Sequence, residues 1–171
     1  MKNKKKFIVT IDQGTTSSRA ILFNTQGKSL FKSQLEFKQY FPKDGWVEHN
    51  PEEIWNKTKK VLMDAINRSK RSKGDVLAIG ITNQRETTIL WDSVSGKPVY
   101  NAIVWQDRRT TDFCKKYKTN KRERLINTKT GLLIDPYFSG TKIKWIIENV
   151  PKAKKLLKKK QLLFGTIDTF L

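Results

Sequence analysis

The sequence predicts an α/β domain whose mixed sheet opens with an antiparallel meander. Three stretches carry that reading. Phe7–Ile11 and Ala20–Phe23 are β-rich apolar runs on either side of a short polar turn. Asn50-Pro51-Glu52-Glu53 starts a helix with one apolar face. Val76–Thr82 (VLAIGIT) is an apolar run of strand length that follows this helix, the helix-to-strand order of an α/β fold.

In chain order, the two opening runs are near-continuously apolar, as in strands buried on both faces. Asn24-Thr25-Gln26-Gly27-Lys28 reads as a hairpin turn, and Ser29–Phe37 alternates as a third strand. Gln39–Val47, with Pro42 and Gly45, is a loop. Asn50 is the N-cap of the next helix, Pro51 its first residue, and Glu52 and Glu53 sit at the positive end of the helix dipole. Ile54, Thr58, Val61, Leu62, Ala65 and Ile66 recur at helical spacing, and the helix fades near Ser69–Gly74. Val76–Thr82 suits a central strand. Thr87–Trp91 is another strand, ended by Ser95-Gly96-Lys97-Pro98. Ala102–Trp105 is a short apolar run. Asp107–Tyr117 and Lys121–Thr128 read as helices, Gly131–Gly140 as a loop, Thr141–Val150 and Pro151–Lys160 as helices, and Leu162–Phe164 as a strand.

With 171 residues the chain can bury one real core. It is 37% hydrophobic and 30% charged, which is globular but polar, and no apolar run is long enough to span a membrane. The basic start Met1–Lys6 imitates a secretory leader, but the apolar run after it is broken at Asp12 and has no small-residue cleavage site. A single cysteine, Cys114, excludes an internal disulfide framework and fits a reducing cytoplasm. The net charge of +19 favours polyanion contact in general. The basic residues are mostly lysines, clustered at Lys2–Lys6, Lys115–Arg124 and Lys152–Lys160, with no recognition motif or stacking platform. They read as a solvated lysine-biased surface, with a basic nucleic-acid-binding module as the alternative from another class.

Two polar clusters carry candidate chemistry. Asp12-Gln13-Gly14-Thr15-Thr16-Ser17-Ser18, between the first two strands, supplies one carboxylate, one glycine and four hydroxyls in seven positions. Backbone N–H groups and hydroxyls in such a turn cradle an anion, and an Asp at its mouth suits Mg²⁺ held through water. An ordinary hairpin loop has the same composition, and spacing alone leaves both readings open. The turn is neither a Walker loop nor a Rossmann fingerprint, since Gly-Lys-Ser/Thr and the further glycines are missing. The second cluster, Asn83-Gln84-Arg85-Glu86, follows the VLAIGIT strand, where open α/β sheets bind ligands. A guanidinium beside a carboxylate suits a neutral ligand rich in hydroxyls, although from the residues alone a solvated ion pair at a strand end is the somewhat better account. Trp105 offers an apolar wall for a polyol or a core side chain, and Tyr137 a phenol from a loop. His49, the only histidine, is expected at the surface before the helix cap. No zinc constellation or Ser-His-Asp arrangement is available from it.

Asp12–Ala20, Gly45–His49, Gly80–Thr88, Asn101–Gln106 and Gly131–Lys142 together closely resemble the FGGY carbohydrate kinases of the actin-like ATPase superfamily, and within them the glycerol kinases. The blocks appear in family order over essentially the whole chain. The resemblance implies an RNase H-like domain whose opening turn contacts nucleotide phosphates. It implies that Thr15, Thr16 and Ser17 line the phosphates of ATP, that Arg19 reaches the nucleotide, and that Asp12 lies near Mg²⁺. Arg85, Glu86 and Tyr137 would hold the glycerol hydroxyls, with Trp105 as an apolar wall. The implied reaction makes sn-glycerol 3-phosphate and ADP from glycerol and ATP, in the cytoplasm, by a homo-oligomeric enzyme with no specific nucleic-acid partner.

One departure bears on activity. Family members are much longer, with a second actin-like domain and a general-base Asp beyond the position of Leu171. Residues 1–171 therefore read as an incomplete N-terminal domain, inactive as a kinase by itself. Another FGGY polyol or sugar kinase is the nearest alternative. A non-catalytic nucleotide switch is disfavoured, because it would not need Arg85, Glu86, Trp105 and Tyr137.

Overall fold

A computed structural model describes residues 4–171; Met1–Asn3, the first residues of the basic start, lie outside the described residues. Strands β1 (Lys5–Gln13), β2 (Ser17–Asn24) and β3 (Ser29–Glu36) form the expected antiparallel meander. Helix α1 (Pro51–Arg71) then crosses back to β5 (Gly74–Asn83), which runs parallel to β1. The sheet order is β3-β2-β1-β5. β4 (Glu48–His49) precedes α1 and pairs with β7 (Ala102–Ile103).

The opening strands differ from the expectation in burial. Along β1, Phe7, Val9, Ile11 and Gln13 are buried, whereas Ile8, Thr10 and Asp12 between them are half-buried. The buried face packs with Ala20 and Leu22 of β2 against Val61 and Ala65 of α1. One helix layer covers one face, so the strands alternate rather than being enclosed on both sides.

β5 also departs from expectation. It pairs with β1 alone, so among the described residues it is an edge strand, and Leu77, Ile79 and Ile81 are exposed. Its start is sterically fixed. A Cβ on Gly74 would lie 2.1 Å from a ring carbon of Phe7 and 2.7 Å from the Lys5 carbonyl oxygen, beside the register shift at Phe7/Ile8.

α1 starts as its sequence dictates. The Asn50 side chain accepts hydrogen bonds from the backbone N–H groups of Glu52 (2.9 Å) and Glu53 (3.3 Å). Asn50→Ala is expected to cost about 1 kcal/mol, read as a lower urea midpoint at unchanged slope. An unchanged midpoint would show that the cap is dispensable.

The second half packs on this frame. β6 (Ile89–Asp92) pairs with β8 (Leu162–Gly165), and α6 (Ile167–Phe170) follows. Phe37, Ile54, Ile89, Ala102 and Ile167 make a second core. α4 (Ser139–Asn149) and α5 (Pro151–Lys158) build a third through Ile146 and Ala153, with Leu90 and Ile103. α5 buries Ala153 and Leu156 and leaves its lysines in solvent, as a lysine-biased surface should. α2 (Thr111–Tyr117) starts four residues later than expected, and α3 (Asn120–Thr130) is exposed throughout apart from half-buried Glu123 and Ile126. No helix of the described residues is long and apolar enough to cross a membrane.

Candidate functional site: a hydroxyl-rich turn beside a polar pocket

The turn between β1 and β2 is shorter than the seven-residue cluster. Asp12 and Gln13 complete β1, Ser17 and Ser18 begin β2, and Gly14–Thr16 alone make the bend. The Gly14 N–H donates to the Ser17 carbonyl at 2.9 Å. Gly14 is not left-handed, and an added Cβ would stand 3.4 Å from that carbonyl oxygen, so the bend itself does not demand glycine. Thr16 is exposed, Thr15 and Ser17 are half-exposed, and Ser18 is buried against Thr58, 2.9 Å between hydroxyls.

Asp12 and Arg19 face each other across the two strands and form an ion pair at 2.6 Å, each side chain 38% exposed. Arg19 is thus aimed at Asp12. The pair engages Asp12 through Oδ2, which leaves Oδ1 for an outer-sphere contact. No cluster of three metal-binding side chains exists among the described residues. One carboxylate fits a Mg²⁺ held by waters and phosphate oxygens and does not fit a protein cage.

The second cluster lies next to this turn. β5 and β1 run parallel and end together, Asn83 opposite Gln13, and the Gln84 N–H donates to the Gln13 carbonyl at 2.8 Å. Asn83, Gln84, Arg85, Trp105 and Tyr137 line one opening of about 290 Å³. The Trp105 and Tyr137 rings meet edge to face, centroids 6.0 Å apart. The Trp105 indole N–H donates to the Thr15 hydroxyl at 3.0 Å, so the pocket wall touches the turn directly. A larger groove of about 640 Å³ lies along the exposed edge of β5, but it has no comparable convergence of polar groups.

The Glu86 carboxylate, read from the sequence as an acceptor for substrate hydroxyls beside Arg85, is held by Ser139 at the start of α4. Its Oε2 accepts from the Ser139 N–H (2.9 Å) and the Ser139 hydroxyl (2.7 Å), and Glu86 is not among the residues lining the opening. The backbone of Glu86 is left-handed, φ +64°, a strained conformation for a residue with a side chain. Its carbonyl oxygen accepts from Thr88 Oγ1 at 3.1 Å and from Lys142 Nζ at 3.3 Å. Lys142 also donates to the Tyr137 carbonyl, which ties both flanks of the pocket to α4. Burial lowers the pKa of Lys142 to about 8, against the pull of Glu86.

His49 corrects another expectation. It is fully buried in β4 and not at the surface. Its Nε2 bonds Gln39 Oε1 at 2.6 Å, and its Nδ1 bonds Gln84 Nε2 at 3.3 Å. Burial lowers its pKa to about 4. Sequence reading also missed Lys142 and Ser139. Lys142 carried a signal: it stands four residues before Ile146, in phase with the buried stripe of α4.

A hydroxyl-rich turn thus touches a small polar pocket on an α/β sheet. Residues 7–171 match the model of the FGGY family of carbohydrate kinases, N-terminal domain. The chain is 57% identical over 166 residues to a glycerol kinase of Ectopseudomonas mendocina, covering 97% of this chain and 34% of the relative. It is 56% identical over 167 residues to a glycerol kinase of Geobacillus sp., covering 98% and 34%. The structure of Plasmodium falciparum glycerol kinase with ADP superposes with a TM-score of 0.91 at 35% identity, over 97% of this chain and 33% of that one. Gluconate kinase from Lactobacillus acidophilus shares the fold, with a TM-score of 0.81 at 23% identity, over 97% and 32%. The chain belongs to the FGGY family of carbohydrate kinases and has their actin-like ATPase fold. It spans about a third of the length of the curated relatives it matches.

Proposed function

We propose that this chain is the N-terminal domain of a glycerol kinase, working with a second actin-like domain to transfer the γ-phosphoryl group of ATP to glycerol. The single observation that carries the reading is the Trp105–Thr15 contact, which puts the pocket wall and the phosphate turn side by side. Thr15, Thr16 and Ser17 bind ATP phosphates through N–H and hydroxyl donors. Arg19, held by Asp12, adds positive charge there. Arg85 donates to glycerol hydroxyls, Tyr137 adds its phenol, and Trp105 packs against the carbon face. Glu86 Oε2 is taken by Ser139, and Oε1 is the acceptor it has left for a hydroxyl of the substrate. Asp12 would hold Mg²⁺ through water, and the ion would supply neutralisation of the phosphate charge there.

In the reaction the glycerol oxygen bonds to the γ-phosphorus, the bond from that phosphorus to the β,γ-bridging oxygen breaks, and ADP leaves. The hydroxyl proton passes to a base outside residues 1–171, so these residues alone should make no sn-glycerol 3-phosphate. The protein works in the cytoplasm as a homo-oligomer with no specific nucleic-acid partner, its net charge of +19 being a solvated lysine-biased surface; DNA or RNA contact that is sequence-independent and lost at moderate salt would report that surface charge alone.

The test is a chimera of residues 1–171 with the remaining two-thirds or so of the Ectopseudomonas mendocina enzyme, assayed with MgATP against glycerol, tetritols and pentuloses. Glycerol should be the preferred acceptor. Arg85→Ala should lower kcat/KM for glycerol about 10- to 100-fold, with KM for ATP unchanged, because a charge-assisted hydrogen bond is lost. Unaltered glycerol kinetics in Arg85→Ala would remove Arg85 from the site, and preference for a pentulose would replace glycerol as the substrate.

A further inference from the structure

A closed ring of hydrogen bonds runs beneath the two ligand positions. Trp105 Nε1 donates to Thr15 Oγ1 at 3.0 Å, and the Trp105 backbone N–H donates to Thr87 Oγ1 at 3.2 Å. Thr87 Oγ1 donates to Gln84 Oε1 at 2.9 Å, and Gln84 Nε2 donates to His49 Nδ1 at 3.3 Å. His49 Nε2 donates to Gln39 Oε1 at 2.6 Å, and Gln39 Nε2 returns to the Thr15 carbonyl at 3.0 Å. Gln84 Nε2 also reaches the Gly14 carbonyl and Gln13 Oε1, both at 3.1 Å.

The direction of every bond in this ring is determined. Gln39 Nε2 faces carbonyl oxygens, so its Oε1 accepts, and His49 must carry its proton on Nε2. His49 Nδ1 is then an acceptor, matched by the amide nitrogen of Gln84. Gln84 cannot turn over, because its Oε1 takes the Thr87 hydroxyl while the two hydrogens of its Nε2 are shared among three acceptors. His49 and Thr87 are fully buried and Gln84 is 6% exposed. Apolar side chains would fill this volume without the desolvation cost of an imidazole and an amide. A fully satisfied buried network instead fixes one geometry, and this one ends on the turn at Thr15 and on the pocket wall at Trp105.

We propose that His49 and Gln84 are positioning residues that set the separation of the phosphate turn from the polyol pocket, so that the γ-phosphoryl group meets a glycerol hydroxyl and not water. This rests on the glycerol kinase reading above. Transfer to glycerol yields glycerol phosphate, ADP and a proton; transfer to water breaks the same P–O bond and yields inorganic phosphate, ADP and a proton. The two outcomes compete within one active site. Their ratio therefore does not depend on how much of the protein is folded, whereas misplacement of about an ångström costs roughly 10²-fold in the aligned reaction.

The experiment measures glycerol phosphate and inorganic phosphate formed from MgATP and saturating glycerol by the chimera and its variants. His49→Phe and Gln84→Leu should each lower the ratio of glycerol phosphate to inorganic phosphate about 10²-fold. His49→Gln, which keeps a donor for Gln39, should restore it to within about threefold of the parent. If His49→Phe does not fold, Gln84→Glu carries the comparison, because it sets an oxygen against the Gly14 carbonyl while keeping shape. Variants that lose turnover or thermal stability at the parental ratio would overturn the positioning role and leave the function standing. A parent chimera that makes no glycerol phosphate would overturn both.

Discussion

Arg109→Ala is expected to destabilise the chain by about 3–5 kcal/mol, the cost of leaving buried charge without its partner. The Arg109 side chain is completely buried. Its Nε donates to Asp107 Oδ1 at 2.9 Å, and its Nη2 donates to Asp107 Oδ2 and Glu48 Oε1, both at 2.8 Å. The guanidinium lies over Trp46, 3.8 Å from the ring centroid, and 4.6 Å from that of Trp145. Burial opposes its charge, but the hydrogen bonds it donates to Asp107 and Glu48 outweigh this and hold its pKa above the ordinary value. Without Arg109, two buried carboxylates face each other. They keep only Tyr100 and Asn101 on Glu48, and backbone N–H groups on Asp107. Arg109→Lys should recover little, because a point charge cannot span both carboxylates and stack on indole. Urea denaturation of the chain reads the effect, and a loss below about 1 kcal/mol would show that the network relaxes around the gap.

Acid should weaken the fold through His49. Its folded pKa of about 4 lies below the ordinary 6.5, so between these values the unfolded chain takes a proton that the native imidazole refuses. Stability contributed this way is complete above pH 6.5 and is lost as pH falls toward 4. The total is about 3 kcal/mol. The groups bonded to His49 are the neutral amides of Gln39 and Gln84, and the Phe37 ring packs on it edge to face. No carboxylate there compensates the charge. His49→Gln should flatten the urea midpoint between pH 4 and 6.5; an equal slope in both proteins would refute the assignment.

Much of the fold was legible because its signals are short-range. Apolar runs of β-rich residues marked β1 and β2, alternation marked β3, and the Asn50-Pro51 cap marked the start of α1. The hydroxyl turn and the Arg85 cluster were legible as motifs, and the parallel pairing of β1 with β5 brings them together. Burial was less legible. VLAIGIT suited a central strand, and among the described residues β5 pairs with β1 alone, a fact of sheet order that no run of residues encodes. His49 was misplaced because β4 is two residues long and has no periodicity of its own. It is buried because β7, more than fifty residues later, pairs with it.

By itself, then, the sequence determined the local elements, the turn chemistry and the family resemblance, since caps, periods and motifs act over a few residues. Tertiary structure decided where Glu86 points, which nitrogen of His49 carries the proton, and that Trp105 touches Thr15. Those outcomes are hydrogen bonds between residues 53, 10 and 90 positions apart, and their partners are chosen by how the layers pack.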